Sequence, residues 1–236
     1  MKRLCFNSGS LLAAILFSFT LTLAPLRAAE SKLNYLSPGT TQATVLLAPP
    51  PLPDSPEQAA DLAEVETVAH SASDSEKTAA LSERKFTVFN FAPAVGDFFQ
   101  ADKLPKTQAF FHRVQLDAEN VVDNAKDFYK RPRPYVIDPS LAAGKLETSY
   151  SYPSGHSTET MTLGLVLAEV FPEKRDAIVA HARLMGWHRV EIARHYATDI
   201  YAGRVLGQAI VRELKANPDF QRDLAEVKAE VAAAQK

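Results

Sequence analysis

A turn followed by a helix is the first feature of this sequence whose residue types could do chemistry. Residues 151–156 read Ser-Tyr-Pro-Ser-Gly-His and stand just before an apolar run at 160–171. Ser154 is a good N-cap for that run, and Gly155 lets the backbone approach a ligand closely. A helix that begins here directs unpaired N–H groups and the positive end of its dipole at an anion. His156, on the first turn, would lie beside that anion and could donate a proton to it.

A histidine and an aspartate four residues apart form a second cluster. On a helix, His195 and Asp199 would share one face, where the carboxylate can hold one ring nitrogen and leave the other free. Arg189 follows Met185 by four residues on an apolar stripe, so it faces the core and needs a partner. The same residues would also suit a structural His–Asp pair with Arg189 bound to a buried carboxylate. By itself, this cluster is compatible with both interpretations.

Basic residues near the end of a predicted helix form the third cluster. Lys126 lies on that helix, and Arg133 follows in a loop with a proline on each side. The prolines hold the backbone and limit the entropy lost when the guanidinium grips an oxyanion. Lys130 and Arg131 are expected to be a solvated basic helix end, which is favourable to the helix dipole.

The three clusters agree on one task, which is to bind and attack a phosphoryl group. The cations predicted to bind it are Lys126, Arg133 and Arg189, and the neutral donors are Ser154 and Gly155. His195, oriented by Asp199, is the predicted nucleophile, and His156 is the predicted acid for the leaving group. No cysteine or carboxylate cluster has the spacing of metal ligands, so we expect neither a metal nor another cofactor.

The N-terminus has the pattern of a secretory signal peptide. Two basic residues precede an apolar run at 11–24, and the small residues Ala28 and Ala29 follow it. The run is short for a transmembrane helix, and no later segment is apolar and long enough to cross a membrane. We therefore expect residues 1–29 to be removed, leaving a soluble periplasmic or secreted bacterial protein without a stable membrane anchor. The only cysteine, Cys5, would leave with them.

Composition and charge bound the rest of the chain. With 236 residues, 46% of them hydrophobic and 23% charged, the chain has room for one sizeable core. Without Lys2, Arg3 and Arg27, its formal net charge falls from −2 to −5, and such an acidic protein is a poor general binder of nucleic acid or anionic lipid. Prolines concentrate in residues 30–56, which are interpreted as an extended arm, and residues 57–236 are interpreted as one helical domain.

Helical spacing of apolar residues predicts an all-α protein, and no segment is a confident strand. We predict a compact bundle around the central apolar helix that begins at the Pro-Ser-Gly-His turn. The predicted helical stretches are 57–89 with a break near 71–75, 106–130, the run after His156 to Phe171, 173–194, 198–216 and 218–234.

The three clusters together resemble the signature of the type 2 phosphatidic acid phosphatase (PAP2) superfamily. The matching residues are Lys126-x6-Arg133-Pro134, Pro153-Ser-Gly-His156 and Arg189-x5-His195-x3-Asp199. An exported chain with a Pro-rich stretch near its mature start is, within that superfamily, similar to bacterial class A non-specific acid phosphatases. The resemblance implies metal-independent hydrolysis of small phosphate monoesters through a phosphohistidine at His195, and it suggests a homodimer.

One position departs from the family pattern. His188 stands where the family usually has a serine that helps phosphate binding or geometry. The reaction should survive this change, but substrate preference and the pH profile could differ. His188 and Arg194 are otherwise expected to be accessory or exposed positions.

Two other functions are compatible with the same clusters. A vanadate-dependent haloperoxidase uses such a site to hold vanadate, although those chains are usually much longer. A non-catalytic phosphate-binding protein would keep the cations and donors only to capture the anion. A membrane lipid phosphatase is disfavoured because the sequence lacks the transmembrane helices.

Overall fold

Helices account for the regular structure in the computed structural model, which describes residues 33–235. These residues form one compact unit, and no strand occurs among them. The all-α prediction is therefore confirmed. The predicted signal peptide, residues 1–29, lies outside the described residues. Within the described part of the chain, no helix is long and apolar enough to span a membrane.

The helices follow the predicted stretches closely. In chain order they are α1 (Ala43–Leu46), α2 (Pro56–Ser71), α3 (Asp74–Ser82), α4 (Ala92–Val95), α5 (Pro105–Tyr129), α6 (Pro134–Ile137), α7 (Gly155–Val170), α8 (Arg175–Glu191), α9 (Ala197–Ala216) and α10 (Pro218–Ala234). Short 3-10 helices lie at Val88–Phe91, Pro139–Leu141 and Pro172–Lys174. The predicted break near 71–75 is present, because α2 ends at Ser71 and α3 begins after its N-cap, Ser73.

Helix α7 lies at the centre of the bundle and is buried over most of its length. It begins after Ser154, whose hydroxyl accepts a hydrogen bond from the backbone N–H of Ser157 at 3.3 Å, as expected of an N-cap. Three buried threonines of α7 donate their hydroxyl protons to carbonyls one turn earlier, which satisfies them inside the core. Helices α5, α8 and α9 pack around α7, so the predicted central apolar helix is confirmed.

Helix α9 packs on α7 at a distance that requires glycine. A Cβ atom on Gly203 would lie 2.7 Å from the Ser154 carbonyl oxygen, and one on Gly207 would lie 2.8 Å from the Thr158 carbonyl oxygen. Either side chain would push the two helices apart. The close approach allows the N–H of Ser154 to donate to the carbonyl oxygen of Asp199 at 3.1 Å, which joins the start of α7 to the start of α9.

The first described residues are tied to α5 by one buried carboxylate. Asp117 accepts hydrogen bonds from the backbone N–H groups of Asn34, Tyr35 and Leu36, at 2.7, 2.7 and 3.1 Å. A buried carboxylate needs such donors to offset the loss of water. This part of the Pro-rich stretch at 30–56 therefore packs directly against the bundle.

Candidate active site

The predicted chemical residues converge where the start of α7, the end of α8 and the start of α9 meet. The last turn of α5 and the loop after it close one side of this region. His195 lies at its centre and is fully buried. The charged neighbours that act on its ring are Arg133, Lys126, His156 and Arg189. The fold thus brings together residues that are as far as 73 positions apart in the sequence (Lys126 and Asp199).

The turn between α8 and α9 carries His195. Helix α8 ends at Glu191, earlier than the predicted end at Arg194, and Ala193 then adopts a left-handed φ of 51°. A non-glycine residue pays roughly 1–2 kcal/mol for that conformation. The Arg189 carbonyl accepts the N–H of Arg194 at 2.8 Å and that of His195 at 3.2 Å. These two bonds close the turn and direct the imidazole into the site.

The two ring nitrogens of His195 have different partners, and these fix the tautomer. Nδ1 lies 3.3 Å from Asp199 Oδ2, and Nε2 lies 3.2 Å from a terminal nitrogen of Arg133. Because a guanidinium can only donate, Nε2 must accept, and the ring proton must reside on Nδ1. Burial, and then the positive charge of Arg133, holds the pKa of His195 well below its usual range. The ring is neutral, with its Nε2 lone pair facing the cations.

Asp199 is a fully buried carboxylate with a complete set of donors. Its Oδ2 accepts from the Ser151 hydroxyl at 2.5 Å and from the backbone N–H of Tyr196 at 3.0 Å, besides His195. Its Oδ1 accepts from Arg131 at 2.6 Å. Such a carboxylate cannot rotate without breaking several bonds, so it holds the His195 ring in one orientation.

Arg131 is the clearest error of the sequence interpretation. It was expected to be part of a solvated helix end, but the structure buries it, with 4% of its surface exposed. It forms ion pairs at 2.6 Å with both Asp61 and Asp199, and its guanidinium lies 3.8 Å from the centre of the Tyr196 ring. Pro132 directly follows Arg131, so a proline limits the backbone freedom of Arg131 as the two neighbouring prolines limit that of Arg133. Lys130 is exposed, as predicted.

Lys126 and Arg133 lie on the same side of the site and share Ser149. Lys126 Nζ is 3.5 Å from the Ser149 hydroxyl, and Arg133 donates to the Ser149 carbonyl at 2.8 Å and to its hydroxyl at 3.0 Å. Burial, followed by the charge of Arg133, lowers the pKa of Lys126 to about 8. Burial also lowers the pKa of Arg133. Both side chains are cations held in a poorly solvated place, where an anion is strongly attracted.

The start of α7 offers its donors one residue later than predicted. The N–H of Ser154 is already used by Asp199, whereas the N–H groups of Gly155 and His156 have no hydrogen-bond partner within residues 33–235. A Cβ atom on Gly155 would lie 3.8 Å from Lys126 Nζ. The helix start therefore directs two free donors toward the same region as the Lys126 ammonium.

His156, on the first turn of α7, is held by contacts with the segment that follows α3. Its Nε2 lies 3.2 Å from the Glu83 backbone carbonyl oxygen, and its ring packs against Phe86 with 5.3 Å between ring centres. Burial, and then the charge of Arg189, lowers the pKa of His156 to about 3. With no anion bound, the ring is neutral. Because a carbonyl can only accept, the proton is on Nε2 and Nδ1 is free.

Arg189 is buried at the end of α8, as predicted, but its partner is a carbonyl. One terminal nitrogen donates to the carbonyl oxygen of Ala80, at the end of α3. Its Nε is buried and has no partner, and Arg189 forms no ion pair among the described residues. Burial lowers the pKa of Arg189 to about 10. The alternative in which Arg189 forms an ion pair with a buried carboxylate is therefore not observed among the described residues.

The two positions expected to be accessory or exposed are both mostly buried. His188 Nδ1 lies 2.8 Å from Glu83 Oε2. Arg194 has 2% of its surface exposed, donates to the carbonyls of Ala143 and Lys145, and packs on a tyrosine ring. Arg194 thus fixes the loop before α7.

Four residues of the site were not selected from the sequence. Ser151 is part of the quoted turn, so its place beside Asp199 could have been suspected from proximity. Glu83, Phe86 and Ser149 carry no such signal, because they reach the site only through the fold. Within residues 33–235, no group of three or more His, Cys, Asp or Glu side chains is arranged to hold a metal ion.

Comparison with known families shows what the part of the chain that carries the site resembles. Residues 116–221 match the model of the PAP2 superfamily. The match contains Lys126, Arg133, the turn at 153–156, and the residues from Arg189 to Asp199. This match spans a little under half of the chain.

Particular relatives narrow the likeness further. The chain is 34% identical over 118 residues to a non-specific acid phosphatase of Providencia stuartii, covering 48% of each chain. It is 30% identical over 147 residues to one from Salmonella typhimurium, covering 60% of this chain and 59% of the relative. The chain thus matches about half to three fifths of the length of these relatives.

A solved structure supports the fold. The chain resembles a transmembrane PAP2 type phosphatidylglycerolphosphate phosphatase from Bacillus subtilis with a TM-score of 0.52 and 19% identity. The similarity covers 74% of this chain and 89% of that structure.

Proposed function

We propose that this protein is an exported acid phosphatase that hydrolyses small phosphate monoesters through a phosphohistidine, without a metal ion. The observation that carries the proposal is the state of His195. Its Nδ1 proton is held by Asp199, and its Nε2 lone pair faces Arg133 at 3.2 Å among several buried cations. A neutral imidazole held in this way is a nucleophile placed where a phosphoryl group would be bound.

In the first step, His195 Nε2 attacks phosphorus in line with the ester oxygen. The P–N bond forms as the P–O bond to the alcohol breaks, and the departing oxygen takes a proton from His156. Lys126, Arg133 and Arg189 hold the equatorial oxygens, together with the N–H groups at the start of α7. These groups are in place before the charge shifts, so they favour the transition state.

In the second step, water attacks the phosphohistidine. His156 accepts a proton from the water, the P–N bond breaks, and His195 recovers its lone pair while inorganic phosphate is formed. Because His156 must be protonated in one step and His195 unprotonated, activity should have a bell-shaped pH dependence on the acid side.

Because the pKa of His156 is lowered to about 3, a bound substrate must help to protonate its ring. The main causes of its low pKa are burial and the nearby cations, above all Arg189. A bound phosphoryl dianion offsets that positive charge, and it therefore raises the pKa of the His156 imidazole. Substrate binding and readiness of the acid are coupled in this scheme.

The proposal extends to organisation and location. The two relatives named as non-specific acid phosphatases support small phosphate monoesters as substrates. Residues 1–29 act as the signal peptide, residues 30–56 as an arm, and residues 57–236 as the single PAP2-type domain. The mature protein is periplasmic or secreted and forms a homodimer.

The test is hydrolysis of p-nitrophenyl phosphate by the exported protein from pH 4 to 9, with EDTA present and with vanadate as competitor. We expect activity that peaks at acid pH, persists in EDTA and is blocked by vanadate. Phosphate binding without hydrolysis would reject the proposal in favour of anion capture. Activity that EDTA removes and added metal restores would reject metal independence.

A further inference from the structure

The end of α3 and the residues after it contact the site from outside the three packed helices α7, α8 and α9. The Ala80 carbonyl accepts from Arg189, and the Glu83 carbonyl lies 3.2 Å from His156 Nε2. The Glu83 carboxylate lies 2.8 Å from His188 Nδ1. One residue, Glu83, therefore contacts the proposed acid with its backbone and α8 with its side chain.

The contact between Glu83 and His188 is shielded from water. The exposed fractions of the two side chains are 15% and 12%. A hydrogen bond at 2.8 Å in such a place is stronger than one on the open surface. The pair joins the end of α3 to α8 across 105 positions of the sequence, so it fixes where the Glu83 carbonyl lies.

The Glu83 carbonyl decides which nitrogen of His156 can transfer a proton. It can only accept, so it keeps a proton on Nε2, and Nδ1 becomes the atom that gives up or takes a proton. The Phe86 ring, three residues further along, packs on the same imidazole. Loss of the Glu83 contact would leave the ring free to rotate and to exchange tautomers.

Resting on the phosphatase activity proposed above, we propose that Glu83 and His188 are positioning residues for His156. Neither needs to touch the phosphoryl group. His188 forms a hydrogen bond with the Glu83 carboxylate. The Glu83 carbonyl in turn fixes the orientation and the tautomer of the His156 ring. This gives a role to the histidine that occupies the place of the usual family serine.

The charges around His188 predict how the pair responds to pH. Glu83 and Glu76 face it from the α3 side, and Glu191 and Arg189 act on it from α8. The hydrogen bond that the His188 ring donates to the Glu83 carboxylate raises the pKa of His188 above its usual value. A raised pKa means that the attraction is complete below the usual histidine pKa and is lost as pH rises through the raised one. The Glu83–His188 pair therefore holds the His156 ring most firmly at low pH.

The test compares two esters that differ in their need for an acid. p-Nitrophenolate leaves without a proton, whereas the alkoxide from glycerol 2-phosphate needs one. We expect Glu83→Ala to lower kcat/KM roughly 10-fold for glycerol 2-phosphate and less than about twofold for p-nitrophenyl phosphate, since general acids contribute about 100-fold or more in full. His188→Ala should act in the same direction, and the double variant should be no worse than either single variant.

Ser82→Ala is the matched control, because Ser82 is exposed at the end of α3 and bonds only within that helix. It should leave the ratio of the two kcat/KM values unchanged. Glu83→Gln keeps an acceptor for His188 but not the charge, so it should rescue most of the ratio and flatten its pH dependence. A folded Glu83→Ala protein that loses both activities equally, or neither, would overturn the inference.

A second readout separates this inference from the proposed function. Nitrogen NMR of labelled histidines should show His156 as the single Nε2–H tautomer in the wild-type chain and as a mixture in Glu83→Ala. If the wild-type protein hydrolyses neither ester, the phosphatase proposal fails, and the tautomer still tests the Glu83 contact. An unchanged tautomer in Glu83→Ala would reject the positioning role.

Discussion

The two histidines of the site are held by different kinds of structure. His195 is held by two buried charged side chains. Asp199 lies on α9, and Arg133 lies in the loop between α5 and α6. His156 is held by a backbone carbonyl and by the Phe86 ring, from the segment that follows α3. The proposed nucleophile, His195, is thus fixed by a charge network inside the bundle. The acid depends on a segment packed on its outside, which is easier to alter without harming the core.

Removal of the nucleophile should have the largest effect. His195→Ala should lower kcat for p-nitrophenyl phosphate by at least about 1,000-fold, because no other group can form the phosphohistidine. Phosphate binding, measured by calorimetry, should remain because Lys126, Arg133 and Arg189 are unchanged. Near-normal turnover in this variant would reject His195 as the nucleophile.

The carboxylate behind His195 should come next. Asp199→Asn should lower kcat roughly 1,000-fold, because an amide can hold the ring in the wrong tautomer. It should also lower the free energy of unfolding by about 2 kcal/mol, because Arg131 loses one charged partner. Kinetics and denaturant unfolding measure the two effects separately.

Asp61→Asn is the matched control for that variant. Asp61 pairs with Arg131 at the same 2.6 Å distance but does not contact His195. We expect a similar loss of unfolding free energy with kcat lowered less than about 10-fold. Equal losses of kcat in the two variants would show that Asp199 affects kcat through its pairing with Arg131 and not through its contact with His195.

The smallest expected effect is a proton taken up on anion binding. Sulfate is a tetrahedral dianion that does not itself titrate near pH 6. Burial and the nearby cations lower the pKa of His156 to about 3, so a bound sulfate should raise that pKa and draw one proton onto the ring. Calorimetry in two buffers of different ionisation enthalpy measures the uptake.

His156→Asn should abolish this uptake while sulfate still binds. Retention of the uptake in that variant would assign the proton to His195 instead, and it would reverse the roles given to the two histidines.

Most of the fold and several residues of the candidate site could be predicted from the sequence. The long helices follow from apolar spacing, and Ser154 marks the start of α7 because an N-cap is a local signal. Arg133 and Asp199 belong to short motifs whose spacing already implies their neighbours. Ser154 and Asp199 each have one partner within four residues, Ser157 and His195, so local rules are enough to find these two pairs.

The rest depends on contacts that no local pattern encodes. The rule that a basic helix end is solvated fails at Arg131, because Asp61 of α2 supplies a buried carboxylate that pairs with it. Glu83 reaches His188 only because α3 packs on α8. The departure at His188 was visible in the sequence, while its partner was not. Distant partners of this kind decide which charges are buried.

The buried cations at the site also bear on the release of product. Lys126, Arg133 and Arg189 share a poorly solvated region, and burial lowers the pKa of each of them. Bound inorganic phosphate would relieve the repulsion among these cations, so we expect phosphate to inhibit the proposed phosphatase. Phosphate that binds only the folded protein also raises its free energy of unfolding, by about 2.7 kcal/mol at 100 times the Kd. In a phosphate-rich medium the protein would be at once harder to unfold and slower to turn over.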